Sequence, residues 1–120
     1  MSVYRIHAAR AQYVIEKKYA DASLSVGAVA RIIGISAQHV CRVLKRERGL
    51  TFADLLRDVR LREARRLLRE SSCSMKEIAF CVGFRHPSQF TRAFVSDCGL
   101  APSQYRTQEL SGDVHQEQAM

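Results

Sequence analysis

The chain carries two related passages, one from Ser25 to Phe52 and one from Ser74 to Pro102, and this repeat limits the fold more than any other feature. Ser25, Val29, Ala30, Ile33 and Gly34 match Ser74, Ile78, Ala79, Val82 and Gly83 at a constant offset. Past the glycine the offset grows by one residue, and Val40, Arg42, Leu44, Gly49 and Leu50 match Phe90, Arg92, Phe94, Gly99 and Leu100. The added residue falls in a turn. Each copy therefore reads as two short amphipathic helices joined at a glycine, which can take a positive φ at low cost.

The rest of the chain extends this helical reading. A first helix is expected over Val3–Tyr19, with Ile6, Ala9, Tyr13, Val14 and Ile15 as its apolar stripe. Ser25 stands as N-cap of a second helix, about Val26–Ile33, whose Val29, Ile32 and Ile33 are expected to face inward. Ser36 caps a third, from Ala37 to about Arg48, with Val40, Val43 and Leu44 inward. Thr51 caps a long fourth helix reaching Arg69, with Leu55, Leu56, Val59, Ala64, Leu67 and Leu68 as its apolar positions. Ser74 and Glu77 form a capping-box pattern for a fifth helix that buries Ile78, Ala79 and Val82 and closes at Gly83. Pro87 suits only the start of a sixth helix, Pro87–Cys98, which buries Phe90, Phe94 and Val95. Pro102 opens a short seventh helix containing Tyr105. No segment alternates like a strand, so the fold class is all-α, with two helix-turn-helix subdomains joined by a long linker helix and about seven helices in all. The expected division is 1–50 for the first subdomain, 51–70 for the linker, 71–107 for the second subdomain and 108–120 for a flexible tail.

Composition narrows the function classes. Nineteen Lys and Arg against twelve Asp and Glu give a formal charge of +7, which favours a polyanionic partner. The arginines are spread over several elements and do not line one amphipathic helix, which disfavours a membrane surface. No apolar stretch approaches the length of a bilayer span, and residues 1–10 lack the hydrophobic segment of a signal peptide, so a cytoplasmic protein is expected. Cys41, Cys73, Cys81 and Cys98 contain no CxxC pair, and the four histidines complete no ligand set, so neither metal nor cofactor is expected. Nothing supplies a base–nucleophile pair or a phosphate-cradling glycine loop, which excludes an enzyme.

A basic chain with two helix-turn-helix units points to double-stranded DNA, whose major groove admits one helix per unit. The third and sixth helices are the candidates. Gln38 and Arg42 are four apart with Cys41 between them in projection, so all three share one edge of the third helix. Arg42 can donate twice to guanine and Gln38 can pair with adenine. Ser88, Gln89 and Arg92 stand in matching places on the sixth helix. Phosphate contacts are expected from Ser36, His39, Lys45 and Arg46 around the first copy and from His86 and Thr91 around the second. Arg57, Arg60, Arg62, Arg65, Arg66 and Arg69 crowd the fourth helix, where Asp54, Asp58, Glu63 and Glu70 favour a solvated or ion-paired face over a phosphate role. About 19 residues of linker helix span ~28 Å, somewhat less than the ~34 Å of one DNA turn, so successive major-groove segments are the expected target.

The stretches IAFCVGFRHPSQFTRAF and GLAPSQYR, within Ile78 to Arg106, together with VARIIGISAQHVCRVLKRERG and RLREARRLL, resemble the DNA-binding domain of the AraC/XylS family of bacterial transcription regulators. The resemblance covers about Tyr4 to Thr107. It implies promoter binding, activation through contact with RNA polymerase, and base reading by Gln38, Cys41, Arg42, Ser88, Gln89 and Arg92. The linker-helix geometry separately leads to the expectation that this chain acts as a monomer on an asymmetric site. The alternative is a protein-interaction module that contacts RNA polymerase or another regulator without specific DNA readout of its own.

Overall fold

In the computed structural model, which describes residues 2–111, the helices are α1 (Val3–Lys18), α2 (Val26–Ile33), α3 (Ala37–Arg48), α4 (Phe52–Glu70), α5 (Met75–Cys81), α6 (Pro87–Cys98) and α7 (Pro102–Leu110). No strand occurs among the described residues. The chain divides into two compact units, Met1–Arg60 and Leu61–Met120, with α4 running through the boundary. The expectation of a flexible tail falls mainly on residues 112–120, which lie outside the described residues; α7 itself continues to Leu110.

Local chemistry sets the helix ends. The Oγ of Ser25, Ser36 and Ser74 accepts from the backbone N–H of Ala28, His39 and Glu77, and Thr51 Oγ1 accepts from Asp54 N–H, which satisfies donors that a first helical turn otherwise leaves open. Glu77 completes the box by accepting from Ser74 N–H at 2.8 Å. At the far end of α2, Gly34 takes φ 80, and its N–H donates to Ala30 O at 2.8 Å. Gly83 occupies the matching place with φ 102. A side chain is strained at such angles, so these glycines are what turns the chain into each second helix.

In the first unit, α1 and α2 pack on α3 and on each other. Val29, Val40, Leu44, Leu55, Leu56 and Val59 form the centre, with Ala11, Val14 and Ile15 supplied by α1. Fully burying each larger side chain contributes about 1.5–3 kcal/mol. The stripe expected on α1 is corrected here: Ile6, Ala9 and Tyr13 are exposed, while Ala8 and Ala11 join Val14 and Ile15 in the core. Two small alanines let the α1 backbone lie close against its neighbours, a seam that large side chains would hold apart. Ile32 is also corrected: it stands 52% exposed, and Ala30 is buried instead.

The second unit has an aromatic core. Phe84, Phe90, Phe94 and Tyr105 form successive ring contacts with centroids 5.5, 5.7 and 5.4 Å apart, the last two edge-on as ring quadrupoles prefer. Ile78, Ala79 and Val82 of the α5 end are buried as expected. On α4, Leu61 is buried and Leu67 only half-buried; on α6, Val95 is exposed and not buried. The rings of Phe90 and Phe94 cover the inward face of α6, and Val95 falls on the opposite side by helical periodicity.

Two outcomes follow for stability. An added Cβ at Gly34 meets nothing within 4 Å, so Gly34→Ala costs about 1 kcal/mol through backbone strain alone, whereas Gly27→Ala, inside α2 with 3.8 Å to Ser25 Oγ, costs nothing; urea unfolding midpoints distinguish them. The Glu77 carboxyl is held below its ordinary 4.5 by the hydrogen bond from Ser74 N–H, then by the Ser74 side chain. A lowered carboxyl contributes stability above its unfolded value and loses it as pH falls through the folded one. The stability gap between the wild type and Glu77→Gln, present at neutral pH, should therefore close below 4.5 when unfolding is followed against pH.

Candidate nucleic-acid interface

Burying Val40, Val43 and Leu44 fixes the rotation of α3, and the helical period then puts Gln38, Cys41, Arg42 and Lys45 on the exposed face. Among the described residues no hydrogen bond or ion pair engages the side chains of Gln38, Arg42 or Lys45, and Cys41 is a free, exposed thiol. Burying Phe90 and Phe94 does the same for α6. Ser88, Gln89 and Arg92 are exposed, with no side-chain partner among the described residues.

The residues expected at phosphates are placed differently from one another. Lys45 is exposed and free. Ser36 Oγ is occupied in capping α3. His39 is half-buried; its Nε2 lies 2.9 Å from His7 Nδ1 in a hydrogen bond whose donor depends on the tautomers, and its ring packs against Tyr4. The Arg46 guanidinium lies over the Tyr4 ring, 4.5 Å from its centroid. His86 is the exposed N-cap residue of α6 and makes no side-chain cap bond. Thr91 is exposed, with its hydroxyl donating back to Pro87 O at 3.1 Å. Tyr4 and His7 had no signal in the sequence as neighbours of α3, because their partners lie far along the chain.

Arg57, Arg60, Arg65, Arg66 and Arg69 of α4 make hydrogen bonds within their own units. Arg60 donates to the carbonyls of Tyr19 and Asp21 at 2.9 Å each. Arg57 pairs with Asp54, Arg66 with Glu63 and Glu70, and Arg65 with Asp97 of α6 at 2.8 Å. Arg69 reaches the Tyr105 hydroxyl, and Arg106 of α7 closes the end of α4 by donating to Leu68 O and Ser71 O. Local hydrogen bonds also occupy nearby acids. The Asp54 carboxyl is held below its ordinary value first by the Thr51 hydroxyl, and Asp21 first by that of Ser23. The free positive charges of α3 and α6 thus face solvent without a carboxylate against them.

No group of three or more His, Cys, Asp or Glu among the described residues is placed to hold a metal, and no described helix is long and apolar enough to cross a membrane.

A family model described as a helix-turn-helix domain matches residues 29–108, about two thirds of the chain. The HTH-type transcriptional regulator GlxA of Rhizobium meliloti is 46% identical over 67 residues, which covers 56% of this chain and 21% of that protein. The chain thus spans about a fifth of that relative's length. Among solved structures, the C-terminal domain of AraT, a response regulator from Geobacillus stearothermophilus, superposes with a TM-score of 0.84 at 31% identity, covering 89% of this chain and 88% of that one. The DNA-binding domain of the global transcriptional factor AdpA, solved in complex with a target DNA, gives 0.78 at 25% identity over 83% and 89%.

The two sorts of arginine should separate in unfolding experiments. Arg106→Ala leaves two carbonyls at the α4 terminus without their donor and costs about 1–3 kcal/mol. Arg92→Ala removes no contact and stays within about 0.5 kcal/mol of the wild type.

Proposed function

Since the chain belongs to the AraC-type helix-turn-helix family of DNA-binding transcription regulators, which are not enzymes, we propose that it reads a specific promoter site with α3 and α6 in successive major-groove segments, and that it activates transcription. One observation carries the reading. Arg42 and Arg92 occupy matching places in the two copies, and both are exposed and unengaged among the described residues, while Arg57, Arg60, Arg65, Arg66 and Arg69 of α4 and Arg106 of α7 are tied into their units. Donors left free in this way cost nothing to desolvate from internal partners when they meet a base edge.

Residue roles follow from these positions. Arg42 and Arg92 donate in bidentate fashion to guanine N7 and O6, and Gln38 and Gln89 suit adenine. Cys41 offers a small apolar contact, fitting a thymine methyl, and Ser88 accepts or donates to either base type. Lys45 neutralises phosphate, with His86 and Thr91 at the start of α6 and Ser36 at the start of α3 close to the backbone. Because the two copies differ, a monomer reads an asymmetric site in place of a palindrome. The AdpA domain, bound to its target DNA, supports duplex DNA as the partner. Contact with RNA polymerase, the activating step, and a cytoplasmic setting accord with this role. The competing reading, a protein-interaction module without DNA readout, leaves the free pair Arg42 and Arg92 without a purpose.

Selection of bound sequences from a random duplex pool, repeated with Arg42→Ala and Arg92→Ala, tests the proposal. Each substitution should cost about 1–3 kcal/mol at the selected site and relax the preference at one base position. Log affinity should fall with log salt by about 0.9 per neutralised phosphate. Binding to the selected site no tighter than to random duplex would refute specific readout, and unchanged binding by both variants would favour a protein partner.

A further inference from the structure

Resting on the DNA reading above, we infer that Tyr4 and His7 of α1 are specificity-determining residues, which hold Arg46 and His39 of α3 off the DNA backbone and so suppress sequence-independent binding. Five side chains of α3 outside its core face are cationic or imidazole: His39, Arg42, Lys45, Arg46 and Arg48. Three are drawn to α1. His39 is hydrogen-bonded to His7 at 2.9 Å, with the two rings edge-on at 83° and 5.0 Å between centroids. Arg46 lies 4.5 Å over Tyr4, whose ring also packs on His39 at 5.6 Å. Arg48 Nε donates to Gln12 Oε1 at 2.6 Å.

The division follows helix geometry. Gln38, Arg42 and Lys45 recur at the four- and seven-residue spacing of one face, and His39 and Arg46, seven apart, share the flank beside it. Arg46 keeps a 63% exposed side chain, and its ion pair with Glu47 is long at 3.8 Å, so the Tyr4 ring and not burial is what restrains it. A cation on that flank that is free to swing adds phosphate contacts in the many registers open on random duplex, whereas base contacts at the selected site fix one register and the phosphates within reach. One that rests on an aromatic face must give up that contact first, a restraint of about two- to fivefold at an exposed site. Specificity is the ratio of selected to random binding, and α1 raises it by lowering the denominator without touching a base.

Tyr4→Leu keeps an apolar side chain in place and removes the ring face. Binding of the full chain to the selected site and to random duplex, measured across salt with thermal unfolding alongside, gives the test. Random-duplex affinity should rise about two- to fivefold, the salt slope should steepen by up to about 0.9 per phosphate newly reached, and the selected-site affinity should change less. Tyr4→Phe retains the ring and should behave as the wild type. A purely structural role predicts weaker binding or none of this gain, so unchanged or reduced random-duplex binding by a folded Tyr4→Leu overturns the inference alone. Failure of the unaltered chain to bind any duplex overturns it together with the DNA reading. If Tyr4→Leu does not fold, His7→Ala, which releases His39, carries the same comparison, and a folded His7→Ala with no gain in random binding also overturns it.

Discussion

The burial of one face of α3 and one face of α6 is the constraint on which the rest of the structure depends. Val40, Val43 and Leu44 lie in the aliphatic core of the first unit, and Phe90 and Phe94 lie in the aromatic core of the second. Because side chains on a helix repeat every 3.6 residues, burying these positions leaves no freedom about what faces outward. Gln38, Arg42 and Lys45 emerge from α3, and Ser88, Gln89 and Arg92 from α6. The positive-φ glycines before each helix serve the same end, since they set the angle at which that buried face meets its unit.

The two copies reach this arrangement by different chemistry. In the first, Ser36 caps α3 and small or aliphatic residues fill the core. In the second, Pro87 stands in the first turn of α6, where its missing N–H removes one of the donors that a cap would otherwise have to satisfy, and His86 makes no cap bond. Ring contacts from Phe84 to Tyr105 then supply the bulk that aliphatic packing supplies in the first unit. Arginine is used in two ways across both units. It closes helix ends and pairs acids where it is held, as Arg60 and Arg106 are, and it stays available where the outward face of α3 or α6 presents it.

Much of this was legible in the chain. The caps at Ser25, Ser36, Thr51 and Ser74, the stop at Gly34, and the proline starts of α6 and α7 are local signals, each working through atoms within a few residues, and all appear where read. The inward residues of α3 were equally clear, because three bulky apolar positions share one side of an otherwise polar helix. The stripe of α1 misled. Ile6, Tyr13 and Ile32 are large and apolar, but the seam against neighbouring helices is filled by Ala8, Ala11 and Ala30, and size does not say which face a partner will cover.

The sequence by itself determined the helices, their ends, the duplication and the polar residues available on α3 and α6, since periodicity and capping are short-range properties of a chain. Tertiary structure alone decided which of the many cations remain free. His39 meets His7, Arg46 meets Tyr4, Arg65 meets Asp97 and Arg106 meets Leu68 across separations of some thirty residues or more. No local pattern encodes such pairs, because they exist only once packing has brought two helices within hydrogen-bond reach.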